Sequence, residues 1–415
     1  MPLLRAPVRR MLVVPVILAV PTPALAQSPL DETAFVQAVL RSHPAGRQAT
    51  ALDAAAAAER KAGRAFPDPV LAFSWDRARS PDGVRRSETA WSVTQTILWP
   101  GTFAAGVRAA DRQADALRAE GQATRWELEI GARTSFALLL FVREAATMAG
   151  AAETDARELR DLTARRADLG EGRELDRIKA EVEWLRHRRT RASAEREAEA
   201  VEAILRGLAV EPLPRPLVLD GELPSALPPL DIAALRARLA SANPADRAAQ
   251  AASAREAALA SVARRRRVPD LDVTWFREEE LDKTANGFEF GLRVPLWNAN
   301  RGEIARAEAA ATMAEAGAQR TRLDLEGALV RAAQDLDVAS SQVEILLGRL
   351  QPAAEHSLEL ARYSYREGET SLLDLLDAQR TFRETQSETL AARFALSQAL
   401  AELRRLVGPD FEPGR

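Results

Sequence analysis

The chain is written twice. A segment from about Leu30 to Leu208 returns, offset by roughly 200 residues, from about Leu230 to Val407. His43-Pro44 comes back as Asn243-Pro244, Phe66-Pro67-Asp68 as Val268-Pro269-Asp270, and Leu98-Trp99 as Leu296-Trp297. Glu171-Gly172 answers to Glu367-Gly368, and Leu205-Arg206 to Leu403-Arg404. The landmarks keep their order, so each copy must adopt a similar structure. Whatever one copy does, the molecule does in duplicate.

Each copy contains a long proline-free stretch. Between Gly101 and Glu211 there is no Pro, and Ala, Glu, Arg and Leu dominate. The pattern predicts a helix from about Thr102 to Asp168, a break at Gly170-Glu171-Gly172, and a second helix from about Glu174 to Leu208. At 1.5 Å per residue the first would be roughly 100 Å long. Copy two repeats the plan with a helix from about Gly302 to Leu350, a perturbation at Pro352, continuation to Arg366, and a last helix over about Leu372 to Leu406. Rods of this length belong in coiled coils, and a composition rich in Ala with only 5% aromatics suits close helix packing.

Each copy also holds a non-helical island. Strands are expected at about 69–77 and 88–98, around a turn at Pro81-Asp82-Gly83, and at about 270–277 and 286–296. Leu71, Phe73 and Trp75 alternate with Ala72, Ser74 and Asp76; Phe288, Phe290, Leu292 and Val294 alternate with Gly287, Glu289, Gly291 and Arg293. Period two gives each strand one apolar and one polar face, at about the 9–11 residues that cross an outer membrane as a tilted strand. Trp75, Trp91, Trp99, Trp275 and Trp297 lie near or within the strands, as an interfacial girdle would. The strand pattern alone fits a soluble α+β domain equally well.

Export shifts that balance towards a membrane. Residues 1–26 read as a signal peptide: Arg5, Arg9 and Arg10, an apolar run from Met11 to Val20, and Ala24-Leu25-Ala26 as cleavage site. No later apolar run reads as long enough for a spanning helix. A net charge of −3, with Lys and Arg interspersed among acids, offers no field for nucleic acid. With no Cys there is neither disulfide nor thiolate chemistry. The expected organisation is repeat 1 over 27–210, a Pro-rich linker over 211–229, repeat 2 over 230–408, and a tail over 409–415.

Four strands in lipid would leave two open edges, and unpaired backbone groups in hydrocarbon cost several kcal/mol each. One chain therefore cannot span alone. Barrels begin at about eight strands, so at least two chains are needed, and three would give twelve. Gly287, Glu289, Gly291 and Arg293 would then face the lumen, and the helices would continue the barrel as a tube.

The repeat, the hairpin in each half, and the stretches VPLWNANRGEIARAEA (Val294 to Ala309) and YREGETSLLDLLDAQRTF (Tyr365 to Phe382) resemble the TolC family of outer-membrane efflux channels, particularly its cation-efflux, CzcC-like branch. The resemblance covers essentially the whole mature chain. It implies a mainly α fold with a small β part: two tandem repeats of long antiparallel helical hairpins plus four transmembrane strands. These would complete a homotrimer with a 12-stranded β-barrel in the outer membrane of a Gram-negative bacterium and an α-helical barrel in the periplasm. It also implies a periplasmic adaptor (a membrane fusion protein) and an inner-membrane pump, commonly of the resistance-nodulation-division class. Gly172 and Gly368 match the adaptor-docking hairpin tips, where reversing a helix calls for φ > 0. Asp374 and Asp377 match carboxylates at the periplasmic gate, where threefold symmetry would make each a ring of three. Copy one has Asp176 in place of Asp374 but Lys179 in place of Asp377, so the acidic ring is thinner than duplication would allow.

The resemblance reads as a passive exit conduit for metal cations or drugs. The rivals are the outer-membrane duct of a type I protein secretion system and a periplasmic coiled-coil adaptor. Enzyme chemistry is not expected: no G-x-S-x-G, P-loop or G-x-G-x-x-G occurs, and no cofactor is implied. His43, His187 and His356 are scattered, without the spacing of a metal site. Arg264 to Arg267, just before the third strand, reads either as a clamp for lipid phosphates or as a solvated helix end.

Overall fold

The computed structural model describes residues 29–79, 83, 85–227, 231–280, 283–294, 297, 299–409 and 411. The signal-peptide segment, Pro81-Asp82, Leu296 and most of the tail lie outside the described residues. The first half runs β1 (Leu30–Asp31), α1 (Glu32–Ser42), α2 (Pro44–Ala62), β2 (Val70–Arg79), β3 (Arg85–Ile97), α3 (Pro100–Asp168) and α4 (Glu174–Ala209). After the linker strand β4 (Leu219–Asp220) come α5 (Ile232–Ala242), α6 (Pro244–Arg265), β5 (Leu271–Glu279) and β6 (Thr284–Leu292). Then follow α7 (Arg301–Ile345), a π-turn (Leu346–Leu350), α8 (Gln351–Glu367) and α9 (Leu372–Val407).

The repeated X-Pro landmarks are helix starts. His43 and Asn243 are extended N-caps, each followed by Pro in the first turn, where a missing N–H costs nothing. His43 Nδ1 accepts from the Ala45 N–H at 3.2 Å, and Asn243 Oδ1 from that of Asp246 at 2.9 Å. Asn243 Nδ2 also donates to the Leu406 carbonyl at 2.8 Å, which ties α6 to the end of α9.

Helix α3 is a single rod of 69 residues, and α1, α2, α4, α6 and α9 all pack on it. Near the sheet the packing order is α2, α3, α6, α7; towards the far end it becomes α4, α3, α9, α8. Two clusters hold the middle. Phe35, Val39, Phe136, Leu139 and Leu205 bury together between α1, α3 and α4. Leu239, Leu329, Leu396, Leu403 and Leu406 do the same between α5, α7 and α9. α3 also contains an 18-residue window apolar enough, by length and composition, to cross a membrane, contrary to the expectation that none exists. It lies in a helix whose side chains also supply that first cluster.

The expected run from 302 to 350 is interrupted earlier than Pro352 itself. Pro352 has no N–H to give, and its ring crowds the carbonyl one turn back. The chain absorbs both by widening into the π-turn Leu346–Leu350 immediately before α8.

Candidate functional site: a two-faced sheet and a bundle tip

The sheet order is β2-β3-β5-β6, all neighbours antiparallel. The register lines the apolar residues into one face. Phe73 opposes Trp91, Val93 opposes Trp275, Val273 opposes Phe290, and Trp275 opposes Phe288. Phe73 and Trp91 touch with centroids 4.5 Å apart. Among the described residues nothing covers this face: Phe288 is 67% exposed and Phe290 68%. Trp99 and Trp297 flank the end where strands pass into helices, and Trp297 is 98% exposed.

The opposite face is polar. Thr94 and Thr274 share a hydroxyl hydrogen bond at 2.9 Å, and Thr96 Oγ1 donates to Asp272 Oδ1 at 2.6 Å. Asp76 stands opposite Glu88, and Glu289 opposite Thr274. Gly287 serves this face by its lack of a side chain: a Cβ there would lie 2.9 Å from the Phe276 ring. Edge strands β2 and β6 are unpaired on their outer sides among the described residues.

Where sheet meets helices, a cavity of about 700 Å³ is lined by Thr96, Asp270, Asp272, Arg266 and Arg293 among others. Arg266 thus opens towards the polar face, away from the apolar one. Arg264 pairs with Glu308 at 2.9 Å. At this junction the Trp99 N–H donates to Asp270 Oδ1 at 3.0 Å.

The other end of the molecule carries the two helix reversals. Gly368 sits at φ +78°, and the Glu369 N–H donates to the Ser364 carbonyl at 2.8 Å, a helix-ending bond over five residues. In copy one that conformation belongs to Gly170, also at φ +78°, with the Glu171 N–H on the Arg166 carbonyl at 2.9 Å. This corrects the reason assigned to Gly172. Its φ is not positive; it is required instead by close approach, because a Cβ would lie 3.0 Å from the Ala167 nitrogen. The Glu-Gly dipeptide aligned the copies correctly as words but two residues out of conformational phase.

Asp374 is the third residue of α9 and closes a capping box. It accepts from the Ser371 hydroxyl at 2.7 Å and backbone N–H at 3.1 Å, while its own N–H donates to Ser371 Oγ at 3.3 Å. The hydrogen bonds from Ser371 hold its carboxyl below the ordinary carboxylate range. Asp377, one turn on, accepts from Arg380 at 2.7 Å and is exposed. Both carboxylates stand within the first two turns after the Gly368 reversal.

Several contacts at this end were not foreseen. Leu159, Ala180, Leu358, Tyr365, Leu372 and Leu375 bury together where α3, α4, α8 and α9 meet. Glu153 is buried with Trp184 Nε1 at 2.9 Å, Arg157 at 3.0 Å and Arg191 at 2.9 Å. Asp155 accepts from Arg362 at 2.7 Å. Arg383 donates to the Ala152 carbonyl at 3.3 Å and contacts His187 Nε2. Nothing local in the sequence marks the last pair, since His187 and Arg383 are separated by 196 residues. Among the described residues no group of three or more His, Cys, Asp or Glu could hold a metal ion.

The sheet thus has one exposed apolar face, one polar face and two edges open among the described residues, and long helices continue it. Residues 235–409 of the chain match the family described as outer membrane efflux protein. It is 26% identical over 348 residues to the cobalt-zinc-cadmium resistance protein CzcC of Cupriavidus metallidurans, spanning 83% of this chain and 82% of that one. It is 29% identical over 344 residues to protein CyaE of Bordetella pertussis, spanning 77% and 72%. Among solved structures, the outer-membrane channel OprN superposes with a TM-score of 0.77 at 22% identity, over 91% of this chain and 89% of that one. The matched family model is that of outer membrane efflux proteins, and the solved structure that shares this fold is an outer-membrane channel.

Proposed function

We propose that three copies of this chain close into a passive exit conduit across the outer membrane, fed by an inner-membrane pump through a periplasmic adaptor. The observation that carries this reading is the sheet: its apolar face is bare, its reverse is polar, and both edges are open. Lipid covers the first, water fills the second, and β6 of one copy pairs with β2 of the next. Unpaired edges in hydrocarbon cost several kcal/mol per group, so closure is compulsory. Three four-stranded sheets make a barrel of about twelve strands, wide enough for solutes.

In this reading the chain has a repeat over 27–210 and another over 230–408. The turns at Gly170 to Gly172 and at Gly368 meet the adaptor. Asp374 and Asp377 form rings at the inner mouth that concentrate cations, and Asp374 keeps its charge because Ser371 stabilises it. The cargo favoured by the CzcC-like similarity is divalent metal cations.

The test is a deletion strain challenged with cobalt, zinc and cadmium salts and with a drug panel, alongside mass measurement of the purified protein in bilayers. A trimer whose loss sensitises cells to those metals supports the reading. A folded monomer in bilayers refutes the ring. Metal and drug resistance unchanged, with an exported protein retained in the periplasm, refutes the efflux role in favour of a secretion duct.

A further inference from the structure

Helices α4 and α9 both pack on α3, and a polar contact links them across it: His187 of α4 with Arg383 of α9. An imidazole nitrogen facing a guanidinium N–H can only accept, so this contact requires the neutral ring. Arg383 has few other anchors. Its second nitrogen reaches the Ala152 carbonyl at 3.3 Å and stands 3.9 Å from Asp155, whose carboxylate is already engaged by Arg362 at 2.7 Å. A cavity of about 320 Å³ opens beside the pair, lined by Glu183, Arg186, Asp377, Arg380 and Glu384 among others. The contact thus lies between the α3–α4 hairpin and the first turns of α9, where Asp377 stands.

We propose that His187 is a proton-operated latch between α4 and α9, fastened while its ring is neutral and released when it takes a proton. The proposal rests on the conduit reading above, for which it supplies a means of regulation. Protonation would remove the acceptor and set two cations against each other. The groups facing the ring divide by element. α4 offers Glu183 and Arg186, α9 offers Asp377, Arg380, Arg383 and Glu384, α3 offers Asp155, and α8 offers Arg362 through Asp155. Glu183 and Asp155 favour the proton, whereas burial and the Arg383 charge oppose it more strongly and hold His187 below the ordinary histidine range. The sign follows: the latched state binds a proton less readily than the released one, so acid favours release. The released-to-latched ratio then rises by up to about tenfold per pH unit per chain, across the interval between the two states' pKa values.

The experiment uses the full mature chain in planar bilayers, with conductance followed from pH 7.5 to 5.5. The wild type should conduct more as pH falls. His187→Gln, whose amide oxygen can still accept from Arg383 but cannot be protonated, should stay at the neutral-pH level throughout, and His187→Lys should conduct at the raised level at both ends. If His187→Gln follows the wild-type profile, the gate carboxylates are the source of the response and the latch is refuted. A second readout does not need conduction: hydrogen exchange of residues 372–383, corrected for intrinsic rates, should quicken on acidification in the wild type and not in His187→Gln. Exchange that behaves this way in a protein that never conducts upholds the latch and overturns the conduit; conduction with exchange indifferent to His187 does the reverse.

Discussion

Replacing Phe288 by Arg tests the two-faced sheet directly. Phe288 is the fifth of nine residues in β6, opposite Trp275, and projects from a face that none of the described residues covers. If that face meets lipid, an Arg at mid-strand costs about 2–4 kcal/mol, as measured for barrels at the bilayer midplane. Three copies in a ring bring the penalty to about 6–12 kcal/mol per assembly, comparable with the whole stability of a typical domain. Glu289→Arg is the matched control, for it adds the same side chain one position later, on the polar face, and should cost close to nothing in folding. The assay is reversible urea titration of the protein folded into lipid vesicles, with assembled protein in outer-membrane fractions as the cellular counterpart. Phe288→Arg should lower the urea midpoint and deplete the assembled form; Glu289→Arg should do neither. Equal tolerance of both would mean that lipid does not touch this face, and the membrane argument would fail at its root.

Three further outcomes can be checked by unfolding and exchange measurements. Gly170→Ala and Gly368→Ala should each cost about 1–2 kcal/mol in denaturant titration, because a left-handed residue with a Cβ is strained; Gly172→Ala should also destabilise, but by contact with Ala167. Phe136→Ala, at a site 2% exposed beside Phe35, should cost about 3–5 kcal/mol and lower the thermal midpoint. Asp374 has its folded pKa depressed, so its capping contribution is present above the unfolded carboxylate range and is lost as pH falls through the lower folded value. Hydrogen exchange over the first turn of α9 should therefore accelerate only in strong acid, and that acid step should vanish in Asp374→Asn.

Much of the architecture was legible because it rests on local pattern. The absence of Pro between Gly101 and Glu211 marks α3 and α4 to within a few residues, and alternation of Leu71, Phe73 and Trp75 marks β2 with its correct apolar face. What escaped depends on partners far away in sequence or on backbone detail. The joining of the two hairpins through β3 and β5 is a register between strands about 180 residues apart, for which alternation supplies the face but no alignment. Gly170 and Gly172 are both glycines near a break, and only φ separates the one that reverses the chain from the one that makes room. Asp374 illustrates the reverse difficulty. Ser371-Leu372-Leu373-Asp374 has the spacing of a capping box, a local reason for the carboxylate that stands beside any role in a gate.

The helices lead to the same requirement as the strands, by a separate route. Near the sheet, α2 and α7 are the outer members of their layer, and at the far end α4 and α8 are. Leu175, Ile178, Val182 and Leu185 recur at helical spacing along α4 and all are exposed; Ile345, Leu360 and Tyr363 are exposed on the α7–α8 side. A stripe at that spacing on a soluble helix is the pattern of a face that packs on another helix. The sheet needs neighbours for its hydrogen bonds, and the bundle needs them for its apolar stripes. In a ring, the neighbour that pairs β6 with β2 also brings α8 to α4, so one closure meets both demands. A non-ring dimer would leave one sheet edge and one helical stripe bare in each copy. The two deficits are independent in their physics, hydrogen bonding in one and burial in the other, and they point to the same kind of assembly.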